Sequence, residues 1–161
     1  MATIYLALGS NVGNSKGYIE QAIELLGASV NNIQRAHLYS SKAVGYTYQA
    51  DFLNTAVSGQ TGLSPEALLA FVKQIEQEVG RVERFRWGPR EIDIDIIFYD
   101  DLKLESPELT IPHPAFRNRD FVLRPLKDLN PLMVDPVTGQ TIAQLLDKIT
   151  PDNKSVLDKV D

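Results

Sequence analysis

The sequence predicts an α+β sandwich of element order β-α-β-β-α-β, an antiparallel sheet with helices packed on one face. Three observations carry that reading. Within the first hundred residues, apolar side chains recur at helical spacing in two segments, 16–26 and 65–79. Four further segments carry the alternation or the continuous apolar run of strands. Capping and turn residues stand at the junctions between them.

Residues 3–9, TIYLALG, read as a buried strand, and SNVGNS supplies a turn with helix-capping residues. From Lys16, the positions Ile19, Ala22, Ile23 and Leu26 share one helical face, and Gly27 marks its end. NIQRAHLYS, from Asn32, is expected to form one strand, and SKAVGYTYQAD a long polar loop. DFLNTAVSGQ alternates as a strand. Ser64-Pro65-Glu66 is a helix start, with serine as cap and proline at the first helical position. That helix runs through Leu68, Leu69, Val72 and Ile75 to Val79, where Gly80 stops it. An arginine-rich loop leads into the last strand, EIDIDIIFY. This order is the split arrangement of a ferredoxin-like fold. The rest is expected to be an appendage: a turn at PVTGQT, a short helix in TIAQLLDKI, and a loose polar tail from about residue 151.

The 161 residues suit one domain, 1–161, with enough apolar content to bury a core. No apolar run reaches membrane-spanning length, and MATIYLALGSN lacks the marks of a secretory leader, so no membrane partner is expected. The absence of cysteine removes disulfides and thiolate metal sites and suits a cytoplasmic location. A net charge of −5 argues against a nucleic-acid partner. Against that acidic average, four of the eight arginines (Arg81, Arg84, Arg86, Arg90) fall within ten residues, and Arg117 and Arg119 follow the acidic strand. Guanidinium forks suit phosphate oxygens, whereas the plainer reading pairs this loop with its own Glu83 and Glu91.

Residues two apart on a strand face the same way, so Asp93 and Asp95 project together while Ile92, Ile94 and Ile96 face the core. Neighbouring like charges cost stability, and a divalent cation relieves the cost. Magnesium takes one or two carboxylates and completes its shell with water and substrate phosphates. The plainer alternative is a wet outer face. His113, between two prolines and near arginines, is a candidate phosphate donor or a packed side chain. Glu76 is either a surface glutamate or part of the site beside the arginine loop. Phe52 and Asn54 share a strand face and would suit a flat heterocycle that needs stacking and edge hydrogen bonds. GSNVGNS lacks the phosphate-loop patterns and reads as a strand-to-helix turn.

RWGPREIDIDII closely resembles the signature of the 6-hydroxymethyl-7,8-dihydropterin pyrophosphokinase family. LALGSNVG, DFLNTAV, IEQEVGR and PHPAFRNRDFVLRPL support the resemblance, and these blocks cover most of residues 4–126. The resemblance implies a ferredoxin-like sandwich that transfers pyrophosphate from ATP to the pterin's hydroxymethyl group and releases AMP. It implies that Asp93 and Asp95 hold two magnesium ions, and that Arg81, Arg90, His113 and Arg119 neutralise or orient the triphosphate. Trp87 and Arg90 would belong to a mobile loop that closes over the substrates. Phe52 and Phe121 would sandwich the pterin, with Asn54 and the backbone around Ser41, Lys42 and Val44 reading its edge. Leu69, Glu76, Ile96 and Thr110 would line the nucleotide.

The sequence departs from the family pattern at several positions. Glu83 stands where family members often carry arginine, and Arg84 would take over its phosphate contact. Lys73 replaces a glutamine of a relative near the nucleotide, Glu108 an arginine, and Phe52 a tyrosine. ATP and the pterin are the expected partners, with a monomer expected and a dimer as the alternative. Two other functions compete: a nucleotidyltransferase or phosphohydrolase built on the same doublet, and a ferredoxin-like RNA-binding module, which the acidic composition disfavours.

Overall fold

A computed structural model describes residues 1–161. Strand β1 (Ala2–Ser10) leads through an Asn14-capped turn into helix α1 (Ser15–Leu26). Strands β2 (Asn31–Arg35), β3 (Tyr39–Ser41) and β4 (Phe52–Thr61) follow, then helix α2 (Pro65–Val79) and strand β5 (Asp93–Tyr99). A small arm, β6 (Leu104–Glu105) and β7 (Thr110–Ile111), precedes helices α3 (Asp120–Leu129) and α4 (Ile142–Asp147) and the final strand β8 (Val156–Lys159). The predicted helices stand where their signals place them. The Ser64 side chain accepts from Ala67 N at 3.2 Å, Pro65 opens α2, and Gly80 closes it at φ 113°.

The main sheet runs β5-β1-β4-β3-β8, with β2 also paired to β4, and every pairing is antiparallel. Helices α1 and α2 cover one face. Ile4, Leu6 and Leu8 of β1 meet Ile19, Leu26, Leu68, Val72 and Ile75 there, together with Ile92, Ile94 and Ile96. Each side chain buried completely in this layer, such as Ile4 or Leu68, contributes roughly 1.5–3 kcal/mol.

Three expectations need correction. Helices lie on both faces, not one: α3 and α4 bring Val122, Leu123, Leu126, Ile142 and Leu145 onto the second face, against Tyr5, Ala56, Ile97 and Phe98. The segment 32–40 is two strands, interrupted at residues 36–38. There the His37 and Leu38 amides donate to the carboxylates of Asp128 (3.3 Å) and Asp161 (2.8 Å) instead of to a neighbouring strand. The tail is not loose either: β8 pairs with β3, Tyr39 opposite Lys159 and Ser41 opposite Val156.

Candidate active site

The site lies on the second face, beyond the part that α3 and α4 cover. Register builds its floor. Gly9 of β1 stands between Asn54 of β4 and Asp93 of β5, and Ala7 between Ala56 and Asp95. The small residues keep the floor low. A Cβ at Gly9 would sit 3.0 Å from Asn54 Oδ1 and 3.6 Å from the Phe52 ring, so glycine preserves room for both side chains.

One cleft opens over this floor, and a second lies beside it along the edge strand β5 and helix α2. The first, of about 260 Å³, is lined by Ser41, Lys42, Val44, Phe52, Asn54, Trp87 and Phe121, with Gly9, Arg86 and Arg119 among the others. Every residue that the resemblance assigns to the pterin is therefore in one cavity. Within it, Asn54 Nδ2 donates to Ser41 Oγ at 2.7 Å, which fixes the amide in its buried position. The second cleft, of about 400 Å³, is lined by Leu69, Lys73, Glu76, Arg81, Ile96, Thr110 and, among others, Glu108. Arg90, Asp93, Asp95 and His113 line both clefts. They mark the place where the two cavities meet.

The α2 cap sends Arg81 back over the helix end, where Nη1 lies 3.0 Å from Glu76 Oε2 and 3.4 Å from Asp93 Oδ1. Glu76 is not a surface residue: it is buried and accepts the Ile94 amide at 2.8 Å. Burial raises its proton affinity, while the Ile94 hydrogen bond and Arg81 oppose the rise. Arg90 is set by its backbone. Its N–H donates to Asn11 Oδ1 at 2.8 Å and its carbonyl accepts the Asn11 N–H at 3.0 Å. Asn11 also donates to Gln49 Oε1 and to the Ala50 carbonyl, tying the 42–51 loop to the arginine loop. The same loops meet where Gln49 Nε2 donates to the Trp87 carbonyl at 2.7 Å and where Tyr46 packs edge-on against Phe85, ring centroids 4.9 Å apart.

Arg81 and Arg90, the latter 3.6 Å away, both attend Asp93. Asp95 has no such partner. Its carboxyl is pushed up to about 7 by burial first, then by the Asp93 and Glu76 charges, with Arg119 and Arg90 opposing. The two carboxylates are hard oxygen donors on one face, of which only Asp93 is paired with arginine. No group of three or more His, Cys, Asp or Glu is arranged to hold a metal ion, so a divalent cation at the doublet would need water and phosphate to complete its shell. His113 is held down to about 4 by burial and by Arg119, against the pull of Asp93. Its Nδ1 accepts from the Ala115 amide at 3.1 Å, which leaves the proton of the neutral ring on Nε2, 4.0 Å from Asp95.

One assigned residue does not join the clefts. Arg84 donates two 2.8 Å hydrogen bonds to Glu91, as the plainer reading of the loop has it. Glu91 also accepts the Val82 amide, and these contacts hold its carboxyl at about 2, Arg84 contributing most. Arg117 is likewise engaged elsewhere, with the buried Asp135 at 2.5 and 3.0 Å. Because Glu91 is depressed from an ordinary 4.5, its stabilising effect is complete above that value and fades as pH falls towards about 2. Glu91→Gln is expected to lower the melting temperature at pH 7. Thermal scans should show the gap closing between pH 4.5 and 2, and a pH-independent gap would exclude the ion pair as its cause.

Sequence reasoning gave no site role to Gly9 or Asn11, and named Arg86 only as a member of the arginine cluster. All three lie in motifs already singled out, LALGSN and the arginine loop, but glycine and asparagine there read equally well as turn residues.

An acidic doublet flanked by arginines, at the junction of two cavities on a ferredoxin-like sheet, is an arrangement suited to an enzyme that transfers phosphoryl groups. The model of the 7,8-dihydro-6-hydroxymethylpterin-pyrophosphokinase (HPPK) family matches residues 5–131. The chain belongs to this family, the pyrophosphokinases of folate synthesis. It is 46% identical over 137 residues to the 2-amino-4-hydroxy-6-hydroxymethyldihydropteridine pyrophosphokinase of Aquifex aeolicus, covering 85% of this chain and 86% of that one. The Bacillus subtilis protein of the same name is 43% identical over 127 residues, 78% and 76% of the two chains. A Plasmodium falciparum HPPK-DHPS crystal structure shares the fold at a TM-score of 0.72 and 19% identity, over 91% of this chain. The present chain spans 43% of that longer protein.

Proposed function

We propose that the protein transfers the pyrophosphoryl group of ATP to the hydroxymethyl oxygen of 6-hydroxymethyl-7,8-dihydropterin, releasing AMP. The observation that carries this reading is the sharing of Arg90, Asp93, Asp95 and His113 by the two clefts. The pterin occupies the first cleft between Phe52 and Phe121, its edge read by Asn54 and by the backbone near Ser41, Lys42 and Val44. The nucleotide occupies the second, along Leu69, Lys73, Glu76, Ile96 and Thr110, with its triphosphate directed at the junction. There the alcohol oxygen bonds to the β-phosphorus as the bond from that phosphorus to the AMP oxygen breaks, and the hydroxyl proton passes to solvent, no side chain being assigned as its base.

Such transfer depends on placement and on positive charge more than on covalent help. Arg81, Arg90 and Arg119 supply fixed guanidinium charge, and the neutral His113 donates from Nε2 without itself needing a proton from solvent. Asp93 and Asp95 would hold two magnesium ions, which when bound neutralise the phosphates and favour the departing AMP. Lys42 and Arg86 add positive charge at the pterin side. Arg84, committed to Glu91, is left out of the phosphate contacts.

The test is ATP plus the hydroxymethyl-dihydropterin, with and without magnesium, followed by chromatography of nucleotides and pterins. AMP and a pyrophosphorylated pterin, formed only with magnesium, are expected. ADP or free phosphate as the sole product would exclude this reaction in favour of simple phosphotransfer or hydrolysis.

A further inference from the structure

The C-terminal strand lies outside the segment that the family model matches, yet it touches both walls of the pterin cleft. Its link to them is Asp120, a buried carboxylate between Arg119 and Phe121. All three hydrogen bonds given to that carboxylate come from the tail. Ser155 N donates to Oδ2 at 2.8 Å, Val156 N to Oδ2 at 2.9 Å, and Ser155 Oγ to Oδ1 at 2.6 Å. Ser155 then faces the other wall, its carbonyl accepting the Lys42 amide at 2.9 Å. Register completes the connection, since Ser41 of β3 stands between Val156 of β8 and Phe52 of β4.

We propose that Asp120 is a positioning residue for pterin recognition: it grips the tail and so fixes the separation between the helix start that carries Phe121 and the strands that carry Phe52, Asn54 and Ser41. This inference rests on the assignment of the first cleft to the pterin. The logic is geometric. Phe121 enters on the first turn of α3, a helix that packs on β4, β3 and α4, while Phe52 enters on β4; the tail is the further link made at the helix start itself. A flat ring held between two walls binds in proportion to how well their spacing is preset, because each wall that must be immobilised on binding subtracts from affinity. The tail sets that spacing through backbone groups on one side and a charged acceptor on the other. Charged acceptors make the stronger class of hydrogen bond.

Asp120, Ser155 and Val156 line neither cleft, but the residues at or next to their contacts, Ser41, Lys42 and Phe121, line the first cleft and not the second. The effect of releasing the tail is therefore directional. In the full-length chain, Asp120→Ala is expected to raise the KM for the pterin roughly tenfold, the equivalent of one hydrogen bond to a charged group. The KM for ATP should rise less than that for the pterin, since the nucleotide cleft is lined by none of the residues the tail touches. Asp120→Asn should restore most of the pterin affinity. Its carbonyl oxygen can accept both tail amides, and its NH₂ can donate to a Ser155 hydroxyl turned to accept. A purely structural role would instead lower kcat and raise both KM values together.

Ser155→Ala, which removes one bond and leaves the tail backbone intact, gives a smaller pterin-selective change and serves if Asp120→Ala does not fold. Equal loss for both substrates, or an unchanged pterin KM in both variants, would overturn the positioning role. Absence of any pterin-dependent AMP formation by the unaltered protein would instead overturn the assignment of the cleft, so the two failures are separable.

Discussion

Asp95→Asn is expected to lower kcat by roughly two to three orders of magnitude, the loss typical when one preorganised electrostatic group is removed from a transferase site. The substitution keeps the side chain's shape and hydrogen-bonding length but leaves Asp93 as the sole carboxylate at the junction. A single carboxylate cannot hold two cations in register, so magnesium-dependent ATP binding, measured by calorimetry, should weaken with kcat. The unliganded protein should respond in the opposite sense. Asp95 is pushed up to about 7 from an ordinary 3.8, mainly by burial and by Asp93, so its charged form is disfavoured in the folded state. The unfolded chain therefore gives up this proton at lower pH than the folded one, and stability falls as pH rises from about 3.8 to about 7. Asparagine is free of that penalty. Without nucleotide or magnesium, the variant should melt higher than the unaltered protein at pH 8 and equally at pH 3.5. Near-normal kcat, or a lower melting temperature at pH 8, would contradict the role assigned to the doublet.

The conflict between strand preference and an acidic doublet is also why the candidate site stood out in the sequence. Aspartates at 93 and 95 violate the preferences of a strand, and the violation persists in the fold, where arginines pair with Asp93 but not with Asp95. The arginine loop was legible for a similar reason, since charge gathered against the average composition needs a cause. What could not be read was which arginine does what. Arg84 and Arg90 are alike in one dimension, and only the fold separates them: Glu91 takes the first, and Asn11 turns the second inward. The second helical layer had a signal that went unused. TIYLALG is apolar at consecutive positions, as are Ile97 and Phe98, whereas a sheet covered on one face alternates. Continuous apolar runs on β1 and β5 require cover on both faces. Pro125 hid the helix that gives it, because a proline in its interior reads as a break. The tail was opaque for a different reason. Its ordering comes from Asp120, Lys42 and Leu38, all far away in sequence, and its own polar residues carry no trace of them.

Arg90→Ala is expected to reduce kcat by about two orders of magnitude, again the scale of one lost electrostatic donor, while leaving pterin affinity little changed. The expectation follows from how the residue is held. Both of its backbone groups are bound by Asn11, so truncating the side chain leaves the loop's course intact. The side chain itself has only interim partners: Asp93 at 3.6 Å and the Arg86 carbonyl. Neither is a bidentate pair of the kind that ties Arg84 to Glu91, so the guanidinium can exchange them for phosphate oxygens without a large cost. An interaction gained in that exchange grows as charge shifts towards AMP, and it appears in kcat and kcat/KM alike. Arg90→Lys should recover only part of the loss, because a point charge replaces the fork but cannot span two oxygens. Steady-state kinetics with both substrates varied, together with direct pterin binding, decide the matter. A variant that lost pterin affinity at unchanged kcat would place Arg90 on the pterin and leave the junction to Arg81, Arg119 and His113. A lysine variant as active as the original would show that charge alone, without the planar fork, suffices at this position.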